Sequence, residues 1–197
     1  IGTTMVQMAL NTLGSTYVAA FTAASKCEQM AGQAYIALGS AIATFAAQNV
    51  GAGRYDRVRK GFARTTEFGF IFSIVMGFVM YFFGYVVTGL FVSGDASALE
   101  GMVDVYMKFT ALFLFPLTIV NVYRNGIQGM GYGLLPMMAG VAELIGRGSV
   151  ALIAIHYHSY NGVCLASPMA WILASTLLLT MYFVIMRKHP VRKNGEK

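Results

Sequence analysis

Apolar and small residues run along this chain in blocks longer than a soluble helix needs, and glycine-rich or polar joints separate them. A helix crossing a bilayer needs roughly 20 mainly apolar residues. By that ruler six segments emerge, at about 1–13, 17–48, 62–92, 102–129, 134–156 and 165–187. Unpaired backbone is too costly in lipid for any of them to be other than helical. The joints carry stop signals: Leu13-Gly14-Ser15, Gly51-Ala52-Gly53, Ser93-Gly94-Asp95, Gly129 to Gly133 followed by Pro136, and Tyr160-Asn161-Gly162. Short joints imply antiparallel neighbours. Pro116 removes a backbone donor inside the fourth segment and is expected to kink it.

Composition agrees with a bilayer: 57% of residues are hydrophobic and 11% charged, with a mean hydropathy of +0.63. The apolar segments recur to the end of the chain, unlike a signal peptide. Ile1 already stands in an apolar stretch with no initiator methionine, so the expectation is a piece of a longer protein whose first helix is truncated. Cys27 and Cys164 lie apart in apolar surroundings and suggest neither a disulfide nor a metal site.

The net charge of +6 bears on topology, not on nucleic acid, because it is concentrated in two places. Arg54, Arg57, Arg59, Lys60 and Arg64 fall in the loop 49–64, and Arg187, Lys188, Arg192, Lys193 and Lys197 form a basic tail over 188–197 and the span end before it. Four spans separate the two regions, so they share a face, and the excess of Lys and Arg makes that face cytoplasmic. In this reading Arg54, Arg57, Arg59 and Lys60 anchor the helix end to anionic lipid, at about 1 kcal/mol each.

Six charged residues lie well inside the spans: Lys26, Glu28, Lys108, Arg124, Glu143 and Arg147. Each costs at least about 2.5–3.5 kcal/mol at mid-helix, so each is expected to face protein or a water-filled cavity. Glu143 and Arg147 are spaced i, i+4 and are expected to pair along one helix as a structural pair. Asn121, Arg124, Asn125 and Gln128 form a polar stripe on the fourth span that should face the bundle. Lys26, Gln29 and Gln33 share a face of the second span, and Gln7 and Asn11 share one on the first. These amides serve either as hydrogen-bonding glue between helices or as the lining of a cavity. For Glu28 and Arg124 the functional alternative is preferred, since an ionisable group is an expensive glue.

An intramembrane enzyme would need a catalytic set, and no HExxH, GxSxG or GxGD pattern occurs. The histidines, His156, His158 and His189, stand at span ends. No Asn-Pro-Ala box of the aquaporin kind is present. A scaffold would have little reason to spread inward-facing ionisable residues over several helices, which leaves transport as the expected class.

Several stretches are more specific. Asn11-Thr12-Leu13-Gly14, Val18-Ala19-Ala20-Phe21, Lys26-Cys27-Glu28-Gln29 and Gln48-Asn49-Val50-Gly51-Ala52-Gly53 with Asp56-Arg57 resemble the second half of a multidrug and toxic compound extrusion (MATE) transporter. Gln128-Gly129-Met130-Gly131, Glu143 with Gly146-Arg147, and Pro168-Met169-Ala170-Trp171 continue the pattern over essentially the whole chain. The QNxGAG segment with its basic loop is the most specific of these.

The resemblance implies an all-α, polytopic membrane helix bundle. Residues 1–187 would be the C-terminal six-helix lobe of a two-lobed transporter, paired with an N-terminal lobe around a central cavity that opens alternately to each side. It implies Na⁺- or H⁺-coupled antiport that exports cationic amphipathic compounds, no other cofactor, and a bacterial inner-membrane location with a cytoplasmic tail. The family branch with acidic coupling residues in this lobe carries carboxylates where this chain has Thr3 and Leu117. The coupling site is therefore expected in the N-terminal lobe. Glu28 is expected to line the cavity with Arg124 and Asn121 in its network, and Gln33 and Asn11 nearby. The alternatives are a related flippase of lipid-linked saccharides and a non-transporting membrane scaffold.

Overall fold

The computed structural model describes residues 2–89 and 99–189. In chain order the helices are α1 (Gly2–Leu13), α2 (Ser15–Gly51), α3 (Tyr55–Gly89), α4 (Glu100–Leu112), α5 (Leu114–Gly129), α6 (Leu134–His156) and α7 (Tyr160–Lys188). The long apolar helices α2, α3, α6 and α7 are each able to cross a membrane, and α4 with α5 makes one further span bent by 53°. The joint Ser93-Gly94-Asp95 and the tail residues Arg192, Lys193 and Lys197 lie outside the described residues.

α3 shows why the bundle belongs in lipid. From Gly69 to Thr88 its buried face is small or polar at Gly69, Ser73, Gly84 and Thr88, with Met80 the one large residue among them, whereas more than half of the surface of Phe68, Phe78, Phe82 and Val86 is exposed. That inversion suits a surface wetted by hydrocarbon and helices that meet through small residues. A Cβ added at Gly84 would sit 2.7 Å from Met107 Cβ on α4, and one at Gly129 on α5 would sit 2.2 Å from the Ala43 carbonyl oxygen on α2. Gly129 thus marks a close crossing of α5 with α2 at Ala43.

The fourth span breaks at Phe113. Pro116 has no N–H to give the Leu112 carbonyl, and its ring crowds that carbonyl. Phe113 N–H instead turns back to Thr110 O at 3.0 Å, and Leu117 N–H reaches Phe113 O at a long 3.4 Å. Next to the break lies a buried hydroxyl cluster: Ser73 Oγ is 3.0 Å from Tyr35 Oη and 2.8 Å from Thr118 Oγ1. Gly69 O and Leu114 O accept from the same cluster, so no hydroxyl of the three is stranded in the apolar interior.

Two apolar cores fill the bundle, one toward each end. Tyr35, Met107, Leu114 and Val163 belong to one, and Ile42, Phe62, Ile127 and Leu178 to the other. Leu117 packs against both.

Three joints share one mechanism. After α2, Gly53 N–H bonds Val50 O and Arg54 N–H bonds Asn49 O, with Gly53 at φ +69°. After α5, Gly131 and Tyr132 repeat this on Gln128 and Ile127. After α6, His158 and Ser159 repeat it on Ile155 and Ala154. Each is a Schellman cap that satisfies the last carbonyls of a helix.

Two expected boundaries are corrected. The segment assigned to a loop at 49–64 is mostly helix, because only Ala52, Gly53 and Arg54 separate α2 from α3. Val58 and Phe62 are fully buried on the helical spacing i, i+4, which carries the fold through the basic run. The last span begins at Tyr160, not 165, because Ser159 Oγ caps it by accepting from Gly162 N–H at 3.2 Å.

Candidate functional site

A cavity of 340 Å³ opens among five helices on one side of the bundle. α1 contributes Thr3 and Gln7, and α2 contributes Ser25, Glu28 and Gln29. Tyr106 comes from α4, Arg147 from α6 and Ser167 from α7. The spacing 25, 28, 29 on α2 and 3, 7 on α1 puts each set on one helical face.

Glu28 is the acid of the cavity. The Tyr106 hydroxyl donates a hydrogen bond to its carboxylate. Tyr106 is itself buried and is fixed edge-on against Phe21, with ring centroids 4.8 Å apart. Arg147 is the base of the cavity, and it is partly buried with no hydrogen-bond partner for its Nε. Among the described residues neither Glu28 nor Arg147 forms an ion pair. Two opposite charges thus line one cavity without closing on each other.

The expected pairing of Glu143 with Arg147 is corrected. Glu143 Oε1 accepts from Arg124 Nη2 at 2.7 Å, across from α5 to α6. The side chains are 30% and 19% exposed, so the pair is half-buried. An i, i+4 spacing permits a contact along one helix, but here the neighbouring helix brings a guanidinium closer, and Arg147 turns to the cavity instead.

The Glu28 network is corrected with it, since Arg124 belongs to Glu143 and Asn121 Nδ2 donates to Leu117 O at 3.0 Å. Asn125 donates in the same way to Asn121 O at 2.8 Å. These amides satisfy themselves on the preceding turn of their own helix and do not bond across helices. Gln33 is exposed and donates to Gln29 O at 3.3 Å, and Asn11 is exposed and accepts from Gln7 at 3.3 Å. Of the five expected cavity residues, Glu28 lines this cavity, and Arg124, Asn121, Gln33 and Asn11 lie outside its lining. Sequence reasoning missed Tyr106, Ser25 and Ser167, and it assigned Arg147, expected to face protein or a cavity, to a pair with Glu143.

The other charged span residues have local roles. Lys108 Nζ is 2.6 Å from Asp104 one turn earlier and 5.5 Å from the centre of the Tyr81 ring. Lys26 is exposed.

At the basic end, Arg54, Arg57 and Lys60 are exposed at the start of α3. Arg59 departs from the expected lipid anchor. Its Nη2 donates to Met186 O at 2.6 Å and to His189 O at 3.1 Å. Those carbonyls end α7, where unsatisfied acceptors and the negative end of the helix dipole attract a cation. The Tyr55 ring stacks on His189 with centroids 4.0 Å apart. The start of α3 and the end of α7 therefore lie side by side, as the even span count required.

Comparison with known proteins adds one positive finding. The family model for MatE matches residues 1–151. No curated protein and no solved structure matches the chain.

Proposed function

We propose, from the premise that this chain belongs to the MatE family of membrane transporters, that it forms one lobe of a cation-coupled antiporter exporting cationic amphipathic compounds. The observation that carries the reading is the partly buried Glu28 carboxylate, held by Tyr106 in a polar cavity within a lipid-facing bundle. A carboxylate so placed attracts a hydrophobic cation strongly, because water screens it little. Aromatic Phe21 and Tyr106 in the same lining suit a flat or branched organic cation. Release then follows a change in the relative energy of outward- and inward-open states, to which drug and coupling ion contribute in opposite senses.

The coupling ion in this proposal is Na⁺ or H⁺, bound in a second, N-terminal lobe. Thr3 lines the cavity as a hydroxyl and Leu117 packs into both apolar cores, so neither position supplies an acid. The face carrying Arg54, Arg57, Lys60 and the end of α7 is cytoplasmic, in a bacterial inner membrane.

One observation favours the flippase alternative, namely Arg147 in the cavity, because a pyrophosphate-linked saccharide needs cations. A single guanidinium set against a carboxylate leaves no net positive charge there, which favours export.

The test is ethidium efflux from drug-sensitive bacterial cells expressing the transporter with both lobes, under an imposed Na⁺ or H⁺ gradient. Export by the wild type with loss in Glu28→Gln supports the reading. Wild-type efflux and coupling in Glu28→Gln refute the role of Glu28, and no efflux under any gradient with correct insertion moves the flippase reading forward.

A further inference from the structure

We infer that Arg147 is the internal counter-ion of Glu28, closing on the carboxylate when no cation occupies the cavity and withdrawing when one binds. The inference rests on the transport reading for the identity of the ligand, but the pairing itself does not depend on it.

The cavity lining holds one carboxylate and one guanidinium. Glu28 is satisfied in part by the Tyr106 hydroxyl, a neutral donor that does not cancel its charge. A charge left uncompensated in a membrane interior is expensive, and the drug-free state of an antiporter, loaded with its coupling ion in the other lobe, must still cross between its two conformations. Among the described residues Arg147 is the only basic side chain in the cavity lining. The Nε of Arg59, Arg124 and Arg147 alike lacks a partner, but Nη2 of Arg124 bonds Glu143 and Nη2 of Arg59 bonds the end of α7, whereas among the described residues Arg147 makes no ion pair.

Reach is not a constraint. A sphere of the cavity's 340 Å³ is roughly 9 Å across, and a guanidinium on a flexible stem moves several ångströms by rotamer changes alone. The stem passes beside α1, since Arg147 Cδ lies 3.4 Å from where a Cβ on Gly2 would stand. A bulkier residue at Gly2 would crowd it.

A competing internal cation makes the exchange obligatory in one direction. An entering cation must displace Arg147, which lowers apparent affinity, and a departing one is replaced by it, which lets the drug-free, ion-loaded carrier return. Arg147 is a positioning residue for charge and not a ligand of the substrate.

The experiment has two arms, both on the purified two-lobed transporter. Without ligand, thermal unfolding is measured for Glu28→Gln, Arg147→Gln and the double variant. A coupling of about tenfold in the folding equilibrium, equivalent to about 1.4 kcal/mol, is expected between the two sites. Additive effects overturn the pairing. With ethidium as probe, Arg147→Gln is expected to bind about tenfold more tightly and to export more slowly, Arg147→Lys to resemble the wild type, and the tightening to vanish in the Glu28→Gln background. Unchanged or weaker ethidium binding in Arg147→Gln, or tightening that survives Glu28→Gln, overturns the displacement. If Arg147→Gln does not fold, Arg147→Met carries the same comparison. Coupling in the ligand-free arm with no ethidium binding by the wild type refutes the drug-export reading and leaves the pairing standing.

Discussion

Replacing Gly129 by alanine adds one methyl group at the tightest point of the bundle. Its Cβ would stand 2.2 Å from the Ala43 carbonyl oxygen, 2.7 Å from Ala43 Cα and 2.8 Å from the carbonyl carbon. A carbon and an oxygen in ordinary contact are about 3.3 Å apart, so α2 and α5 must separate by about 1 Å there. All three obstructing atoms are backbone and no rotamer change relieves them. The separation is shared along the crossing, because Gly39 on α2 already lies close against Asn125, whose Nδ2 would be 2.6 Å from an added Cβ.

Overpacking of this kind costs about 1–3 kcal/mol, and a backbone obstruction belongs at the upper end. Alanine returns at most about 1 kcal/mol of helix propensity. The net expectation is a loss of about 2 kcal/mol, or roughly 4–8 °C in Tm for a protein of this size. The assay is thermal unfolding of the purified protein followed by tryptophan fluorescence at Trp171. Gly140→Ala on α6 is the control, since nothing lies within 4 Å of its added Cβ, and it should leave Tm unchanged or raise it slightly. A Gly129→Ala protein that melts with the wild type would refute the close crossing of α2 and α5.

Two further substitutions test local features of the fold. His158 holds a left-handed conformation, φ +46°, at the cap of α6, where a side chain costs about 1–2 kcal/mol, so His158→Gly should raise stability by about 1 kcal/mol in thermal unfolding and His158→Val should lower it. A double-mutant cycle between Arg124 and Glu143 should give a coupling of about 1 kcal/mol, while the cycle between Glu143 and Arg147 should be additive within about 0.5 kcal/mol; the reverse order would restore the intrahelical pair.

How far the fold was legible depended on whether the signal was local. The α6 limits follow from a mainly apolar run between Gly133 and the His156 end, broken only by Glu143, Arg147 and Ser149, and the bend of the fourth span follows from Pro116. The start of α3 was masked because Arg54, Arg57, Arg59 and Lys60 dominate the stretch, although Val58 and Phe62 keep a buried helical face inside it. The start of α7 was masked because Asn161 and Gly162 look like a turn, and only the Ser159 cap makes them a first helical turn. In the cavity, Glu28 was legible as a costly charge in a span. Its partner Tyr106 was not, since it lies 78 residues away and is one of eleven tyrosines with nothing local to distinguish it. Arg147 was assigned to Glu143 because an i, i+4 rule sees one helix at a time, whereas the contact that wins is set by how α5 crosses α6.

The bend in the fourth span connects these misreadings to the site. Tyr106 and Arg124 are 18 residues apart, which on a straight helix is five full turns, so both side chains would point the same way. Instead Tyr106 serves Glu28 on α2, and Arg124 serves Glu143 on α6. The break at Phe113 is what allows one span to address two different neighbours, and the Tyr35–Ser73–Thr118 hydroxyls beside it satisfy one another within an apolar interior. The proline therefore does more than bend a helix. By turning α4 away from the axis of α5 it commits the tyrosine to the cavity acid and the arginine to a structural pair. Among the described residues of the cavity lining, that division leaves Arg147 as the guanidinium that shares the cavity with Glu28.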